Sequence, residues 1–265
     1  MRTWMAIACI GLAGLAGCSG EYRLTMPDQV APTDGQAAAV ARLERNEFAG
    51  LMMPVKNVPI AMRVEESPLA AGYTDPQGYM ALNVPTGQRL GRYYVHVTMQ
   101  DNRGVELERY VPLYVWDPTM SVVAVELEAV TSKDGAGARA ALAKIASNAY
   151  LVYFTTEPVL QHGTVHRQLQ AMNLPDGAVM SWKQEAWHFS GQGMAQRLVV
   201  EDRLVNPLAY LRMKFPHLKY GLCSSPVAAK AFVEAGMKVV TVSQEKGAPA
   251  SAIRKSWADL AKTGL

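Results

Sequence analysis

The chain has 265 residues, and its 49% hydrophobic and 18% charged residues are typical of a folded protein rather than a disordered one. The formal net charge is only +3, with no Lys/Arg run, which argues against nucleic acid as a partner. The length is sufficient for two domains of ordinary size.

Residues 1–17 have the features of an export signal. Arg2 supplies a positive charge, and residues 5–15 form an apolar run too short for a stable membrane span. The run leads into LAGC at residues 15–18, which resembles the bacterial lipobox. The resemblance implies cleavage before Cys18 and a stable anchor of several acyl chains, with an ordinary secretory peptide as the alternative.

The same resemblance carries an expectation for localisation. Ser19, not Asp, follows Cys18, and by similarity to sorted lipoproteins this implies the periplasmic face of the outer membrane or the cell surface. Lipidation of Cys18 would leave Cys223 without a disulfide partner in the mature chain. We expect Cys223 to be a small buried residue rather than a catalytic thiol.

Residues 18–54 are predicted to be a tether, because Pro and Gly interrupt them and no period runs through them. Within the tether, the Ala-rich residues 36–47 favour one short helix. Short alternating runs begin at residue 55, and the clearest is GRYYVHVTMQ at residues 91–100. We expect its Val95 and Val97 to face the interior and His96 the polar side.

Several short strands with regular turn signals predict a β-sandwich over residues 55–117. The sequence TDPQGYMA at residues 74–81, followed by Val84-Pro85 and by residues 91–97, resembles bacterial immunoglobulin-like modules. Gly78 is expected to adopt a positive φ in the first of these turns. The resemblance covers about thirty residues and implies a spacer or binding unit.

Strands and helices alternate from residue 118 to residue 265, which predicts a doubly wound parallel α/β sheet. The central stretch is AYLVYFTTEP at residues 149–158, an apolar strand that ends in two hydroxyls. Three strand ends are expected to converge. Their polar residues are Glu126 and Glu128, Thr155 and Thr156, and Ser224 and Ser225. Glu126 and Glu128 are expected to share one face of a strand, because side chains on a strand repeat every two residues.

Two parts of this region resemble the haloacid-dehalogenase (HAD) superfamily. The first runs from the strand at residues 150–154, through Thr155 and Thr156, to LPDG at residues 174–177. The second joins FPHLKYG at residues 215–221 to AAKAFVEAG at residues 228–236. The branch found in lipins and phosphatidylinositol-transfer proteins is the most similar, over about residues 120–245.

The resemblance implies phosphoryl chemistry with a nucleophilic Asp, an acid/base Asp, a phosphate-binding hydroxyl, a Lys and an Mg²⁺ site. By this resemblance, Glu126 occupies the position of the nucleophile and Glu128 the position of the acid/base. The hydroxyl is Thr155, or Thr156 in a shifted register, and Arg203 is nearest to the Lys. The acidic metal ligands have no counterpart, because Ser224-Ser225 occupies their place.

These departures predict an inactive HAD-like domain that serves as a binding or scaffold module, with no cofactor. A Glu nucleophile is one methylene longer than Asp, and a misplacement of about 1 Å costs on the order of a hundredfold in rate. A phosphate-bearing ligand at Thr155, Thr156, Arg203 and Ser224, or a protein ligand, is expected. The alternative is an Mg²⁺-dependent phosphatase for a phospholipid or other phosphomonoester, with Glu201 or Asp202 as a third acid.

Two further patterns have simpler interpretations. His162 and His166 are spaced for one helix face, but HGTVH lacks the base and third ligand of a zinc site, so solvated histidines are predicted. Residues 182–189 are aromatic and are expected to pack, with a lid as the alternative.

Overall fold

The structure is a computed structural model that describes residues 21–33, 35–48, 51–65, 67–86, 89–131, 137–157, 159–182, 207–242 and 251–265. The expected lipobox Cys18, Arg203, Glu201, Asp202 and most of the aromatic segment lie outside the described residues.

The secondary structure begins with nine strands and continues with alternating strands and helices. The strands are β1 (Tyr22–Thr25), β2 (Gln29–Pro32), β3 (Gln36–Phe48), β4 (Leu51–Pro54), β5 (Pro59–Val64), β6 (Ala70–Tyr73), β7 (Tyr79–Pro85), β8 (Gly91–Gln100), β9 (Glu106–Trp116), β10 (Ser121–Glu126), β11 (Ala149–Thr155), β12 (Ala178–Ser181), β13 (Leu218–Cys223), β14 (Lys238–Thr241) and β15 (Ile253–Arg254). The helices are α1 (Leu127–Thr131), α2 (Ala138–Ala146), α3 (His162–Ala171), α4 (Pro207–Lys214), α5 (Pro226–Glu234) and α6 (Trp257–Thr263), and a 3-10 turn covers Val159–Gln161.

Strands β1–β9 form two sheets, consistent with a β-sandwich, and we call this part the β-domain. One sheet has the order β2-β9-β8-β5-β6, and the other is built on β3, which pairs with β1, β4 and β7. Alternate residues such as Ile60, Val95 and Val97 point into a shared apolar core, as predicted for residues 91–100.

A tight turn before β7 shows why the sequence needs glycine there. Asp75 Oδ1 accepts hydrogen bonds from the backbone N–H groups of Gln77 (2.9 Å) and Tyr79 (2.7 Å). Gly78 has the expected positive φ, at 78°. A Cβ atom at Gly78 would lie 2.3 Å from the carbonyl oxygen of Leu43, so only glycine fits this approach.

The prediction of a tether over residues 18–54 is wrong for the described part of that range. Residues 21–54 contain β1–β4, and residues 36–47 belong to a strand of 13 residues rather than to a helix. Ala37, Ala39, Ala41 and Leu43 lie in the core of the β-domain. Alanine favours helices, but β3 pairs with a neighbouring strand along each of its edges. This pairing completely buries the four apolar side chains, and the burial outweighs the helix propensity.

The second half of the chain contains one six-stranded sheet in which every pairing is parallel, with the order β12-β11-β10-β13-β14-β15. Helices cover both faces. Residues of α2, α3 and α6 belong to one apolar cluster, and residues of α4 and α5 belong to the other. The chain moves outward from β10 in one direction and then from β13 in the other, so the direction reverses between these two strands.

Packed side chains join the β-domain to the α/β half of the chain. The chain passes from one to the other between β9 and β10. Trp116 is buried and stacks on Tyr150, with ring centroids 4.9 Å apart. Asp176 accepts hydrogen bonds from Tyr114 (3.0 Å) and Arg92 (3.2 Å). None of the helices in the described ranges has the length and apolar character needed to cross a bilayer.

Candidate functional site

The candidate site lies where β10, β11 and β13 end at one edge of the parallel sheet. The strand order reverses between β10 and β13. Open α/β sheets bind their ligands at such a reversal, in a crevice outside the carboxyl ends of the strands. The structure places Glu126 at the end of β10, Thr155 at the end of β11 and Ser224 directly after β13.

Glu126 places its own carboxylate at the reversal of strand order, against the loop that follows β13. The side chain is buried, and Oε2 accepts hydrogen bonds from the backbone N–H of Ser224 (2.6 Å), the Ser224 hydroxyl (3.2 Å) and the backbone N–H of Ser225 (3.0 Å). Oε1 accepts a hydrogen bond from the Ser225 hydroxyl. Both oxygens are therefore held by donors from a single loop.

That loop leads directly into helix α5. Ser225 is its N-cap and accepts a hydrogen bond from the backbone N–H of Ala228 (3.2 Å), and Pro226 occupies the first helical position. The free N–H groups and the dipole at the start of a helix attract an anion. Glu126 supplies that anion from within the chain.

Glu128 makes a second, separate set of contacts. Its Oε1 accepts hydrogen bonds from the Thr155 hydroxyl (3.2 Å), the Thr156 hydroxyl (2.8 Å) and the Thr156 backbone N–H (2.9 Å). Its Oε2 is a buried atom with no hydrogen-bond partner among the described residues. The end of β11 thus binds a carboxylate from the short helix α1, which follows the neighbouring strand β10.

The prediction that Glu126 and Glu128 share one face of a strand is wrong. Strand β10 ends at Glu126, and Glu128 lies in the short helix α1. The backbone turns into a helix after Glu126, so the period of two no longer applies. The two carboxylates consequently contact different partners on either side of β10.

The residues expected to bind phosphate have their donors directed at carboxylates. Thr155 and Thr156 donate to Glu128, and Ser224 donates to Glu126. A phosphate at these hydroxyls would approach a carboxylate of the same sign, which is unfavourable without a compensating cation.

An Mg²⁺ ion does not fit these residues. Magnesium requires near-octahedral oxygen ligands, and backbone N–H groups cannot supply them. Glu126 directs both oxygens at Ser224 and Ser225, which stand where the resemblance requires acids. Within the described residues, no three His, Cys, Asp or Glu side chains are grouped as a metal ion would need.

Cys223 lies beside Glu126 but is unsuited to nucleophilic chemistry. Its side chain is fully buried, as predicted. Burial, with a smaller contribution from the Glu126 carboxylate, raises the pKa of the thiol to about 12. The thiolate, which is the reactive form, is therefore scarce at neutral pH.

A histidine that was predicted to be solvated is buried next to β12. His162 is only 4% exposed rather than solvated, and its Nε2 lies 2.9 Å from the Ser181 hydroxyl. Ser181 donates to the carbonyl of Glu157 (2.7 Å), so the histidine must donate to Ser181. His162 is consequently not a base for this serine.

Asp28 was assigned to the tether, but it is buried between the two halves of the molecule. Its Oδ2 lies 2.7 Å from His166 Nε2 and accepts a hydrogen bond from the backbone N–H of Val179 (2.8 Å). His166 is therefore an interface residue rather than a solvated one. No local pattern around Asp28 reveals partners more than a hundred residues away.

No protein-family model matches the chain, and no curated protein matches it. Among solved structures, it is similar to a carbohydrate acetylesterase from Xanthomonas citri, with 14% identity and a TM-score of 0.36 over 83% of this chain and 60% of that protein. It is also similar to a family 39 glycoside hydrolase from Bacteroides cellulosilyticus, with 10% identity and a TM-score of 0.28 over 83% of this chain and 51% of that one. A CARDB domain from Pyrococcus furiosus shows 13% identity and a TM-score of 0.25 over 38% of this chain and 90% of that domain. The chain thus spans 60% or less of each of the two enzymes, and similarities of this strength do not bear on function.

Proposed function

We propose that the protein is an exported, lipid-anchored envelope protein whose α/β half is a non-catalytic binding or scaffold module. The anchor rests on the lipobox-like LAGC at residues 15–18. The non-catalytic role rests on one observation: Glu126 is hydrogen-bonded to the loop at the start of α5, where a ligand would enter.

A degenerate HAD-like domain is the relationship we favour for the α/β half. The parallel sheet, the acid at the end of β10 and the hydroxyl at the end of β11 support this proposal. In place of catalysis, the carboxylates of Glu126 and Glu128 tie together neighbouring strand ends. The crevice is then a structural joint, and ligands bind elsewhere on the surface.

A phosphatase assay tests the non-catalytic role. The mature chain, residues 18–265 with Cys18→Ser, is incubated with Mg²⁺ and either p-nitrophenyl phosphate or phosphatidic acid vesicles. We expect no phosphate release above the buffer rate. Turnover that disappears in Glu126→Gln but persists in the surface variant Glu234→Gln would establish the alternative, an Mg²⁺-dependent phosphatase.

The anchor is tested separately by metabolic labelling with an alkyne fatty acid. We expect the wild-type chain to incorporate the label and Cys18→Ser to lose it. Equal labelling of both chains, or no labelling of either, would contradict lipidation at Cys18.

A further inference from the structure

A groove crosses the outer face of the five-stranded sheet of the β-domain, and none of the described residues that line it belongs to the parallel sheet. Its volume is about 570 Å³, within the range of about 300–1,000 Å³ that is usual for ligand sites. It arises because small side chains occupy one row across neighbouring strands, namely Ala71, Ala61 and Thr98. Longer side chains stand in the rows on either side.

Two carboxylates form the wall of the groove on β9. Glu106 Oε1 accepts a hydrogen bond from Gln100 Nε2 at 2.8 Å. Glu108 Oε1 accepts one from the Tyr110 hydroxyl at 2.6 Å and also contacts His96. These bonds fix each side chain through a single oxygen, and a carboxylate has about four acceptor sites in total.

Open aromatic rings stand beside the groove. Tyr110 is 62% exposed and stacks on His96, with centroids 4.7 Å apart and the ring planes 10° apart. His96 thus covers one face of the tyrosine ring and holds its orientation. Tyr73 is 70% exposed and lies opposite Pro59, which lines the groove.

The chemistry of the lining identifies the class of ligand. None of the described residues that line the groove is basic, and Arg63, in the neighbouring row beside His96, acts electrostatically on Glu108 and offsets one of the two carboxylates. The remaining negative charge would repel a phosphate or another anion. The carboxylates of Glu106 and Glu108 can accept hydrogen bonds from a ligand that carries several hydroxyl or N–H donors. The small side chains in the groove and the exposed ring of Tyr110 can pack against apolar C–H faces of the same ligand. Sugar rings combine both properties.

The direction of the groove argues against an extended peptide. A peptide that adds to a sheet needs an unpaired strand edge, whereas this groove crosses the faces of β6, β5, β8 and β9, which are paired with one another. A face of this kind offers side chains rather than backbone groups to its ligand.

We propose that this groove binds a neutral oligosaccharide. Its hydroxyls donate to Glu106 and Glu108, and one sugar ring packs against Tyr110. The site belongs to the β-domain and does not depend on the function proposed for the α/β half.

The test is calorimetric titration of the mature chain (residues 18–265, Cys18→Ser) with chitotetraose, cellotetraose and maltotetraose. We expect at least one of them to bind, and we expect Tyr110→Ala and Glu108→Gln each to weaken that binding at least tenfold. Glu234→Gln, a matched change in the other half of the molecule, should leave the affinity unchanged.

Thermal unfolding of each variant serves as the control for folding, and we expect wild-type melting temperatures because these side chains are exposed. Absence of binding by all three sugars would overturn the proposal. It would equally be overturned by sugar binding that both groove variants preserve, or by a proline-rich decapeptide that binds the groove where the sugars do not.

Discussion

Glu126 and Ser225 are joined twice, through the backbone N–H and through the hydroxyl of the serine. One residue ends the central strand β10 and the other caps helix α5. The carboxylate therefore takes the position that an anionic ligand takes in many α/β proteins, at the start of a helix beside the point where strand order reverses.

Glu126→Gln should destabilise the fold while preserving its shape. The amide keeps one acceptor oxygen but places an NH₂ group against donors, and hydrogen bonds to charged groups contribute about 1.5–3 kcal/mol each. We expect the free energy of unfolding in urea to fall by about 2–4 kcal/mol. Glu234→Gln removes an exposed carboxylate near Lys230 and should change it by less than about 0.5 kcal/mol. Equal free energies of unfolding for the wild type and Glu126→Gln would contradict the role assigned to Glu126.

The stability should fall in mild acid because of His162. Burial lowers the pKa of this histidine to about 4, from an ordinary value of 6.5. Between these values the unfolded chain binds a proton that the folded chain rejects, so stability is lost as the pH falls from 6.5 towards 4. The shift corresponds to about 3 kcal/mol.

Urea unfolding at pH 7, 6, 5 and 4.5 measures this dependence. His162→Gln should remove most of the slope below pH 6.5, since glutamine does not titrate. His217→Gln, at an exposed position, should keep the wild-type slope. The assignment fails if the wild type and His162→Gln lose stability in parallel.

Cys223 should report global unfolding. In the mature chain with Cys18→Ser it is the remaining cysteine, and its buried thiol has a pKa of about 12. We expect iodoacetamide to label it at pH 8 only through unfolding, with a rate that rises steeply with urea. A cysteine introduced by Val227→Cys, at a position 79% exposed on α5, should react immediately in a Cys223→Ala background. Comparable rates at the two positions would show that Cys223 is accessible in the native state.

Two glycines should respond to alanine in opposite directions. A Cβ atom at Gly221 would lie 2.4 Å from the ring of Phe232, which is buried, so overpacking should cost about 1–3 kcal/mol or more. A Cβ atom at Gly163, in α3, meets no atom within 4 Å, so Gly163→Ala should stabilise by about 0.5–1 kcal/mol. The melting temperatures of Gly221→Ala and Gly163→Ala, each compared with the wild type, measure these effects. Two shifts in the same direction would contradict the prediction.

The buried parallel strands were the most predictable part of the fold. The apolar runs at residues 149–154 and 218–223 indicate strands because both faces of a parallel sheet are covered. These two runs coincide with β13 and with all of β11 except its last residue, Thr155. The strand β3 was not predictable in this way, since its Ala-rich sequence suits a helix until β1 and β7 pair with it.

The sequence predicts that Glu126, Glu128, Thr155, Thr156 and Ser224 meet at one edge of the sheet, and the structure places them there. Arg203, the other predicted ligand residue, lies outside the described residues. The hydrogen bonds between the residues at this edge depend on where α1 begins and on how the loop before α5 turns. Such details follow from packing in three dimensions, and residue spacing does not contain them.

Asp28 links the start of the chain to its second half, and this has a consequence for the order of folding. Its partners His166 and Val179 follow it by 138 and 151 residues. Synthesis proceeds from the N-terminus, so Asp28 is complete long before either partner exists. Closing so large a loop carries an entropic cost, and chains rich in such distant contacts fold slowly, in about milliseconds to seconds. The segment around Asp28 is therefore made among the first and reaches its final environment among the last.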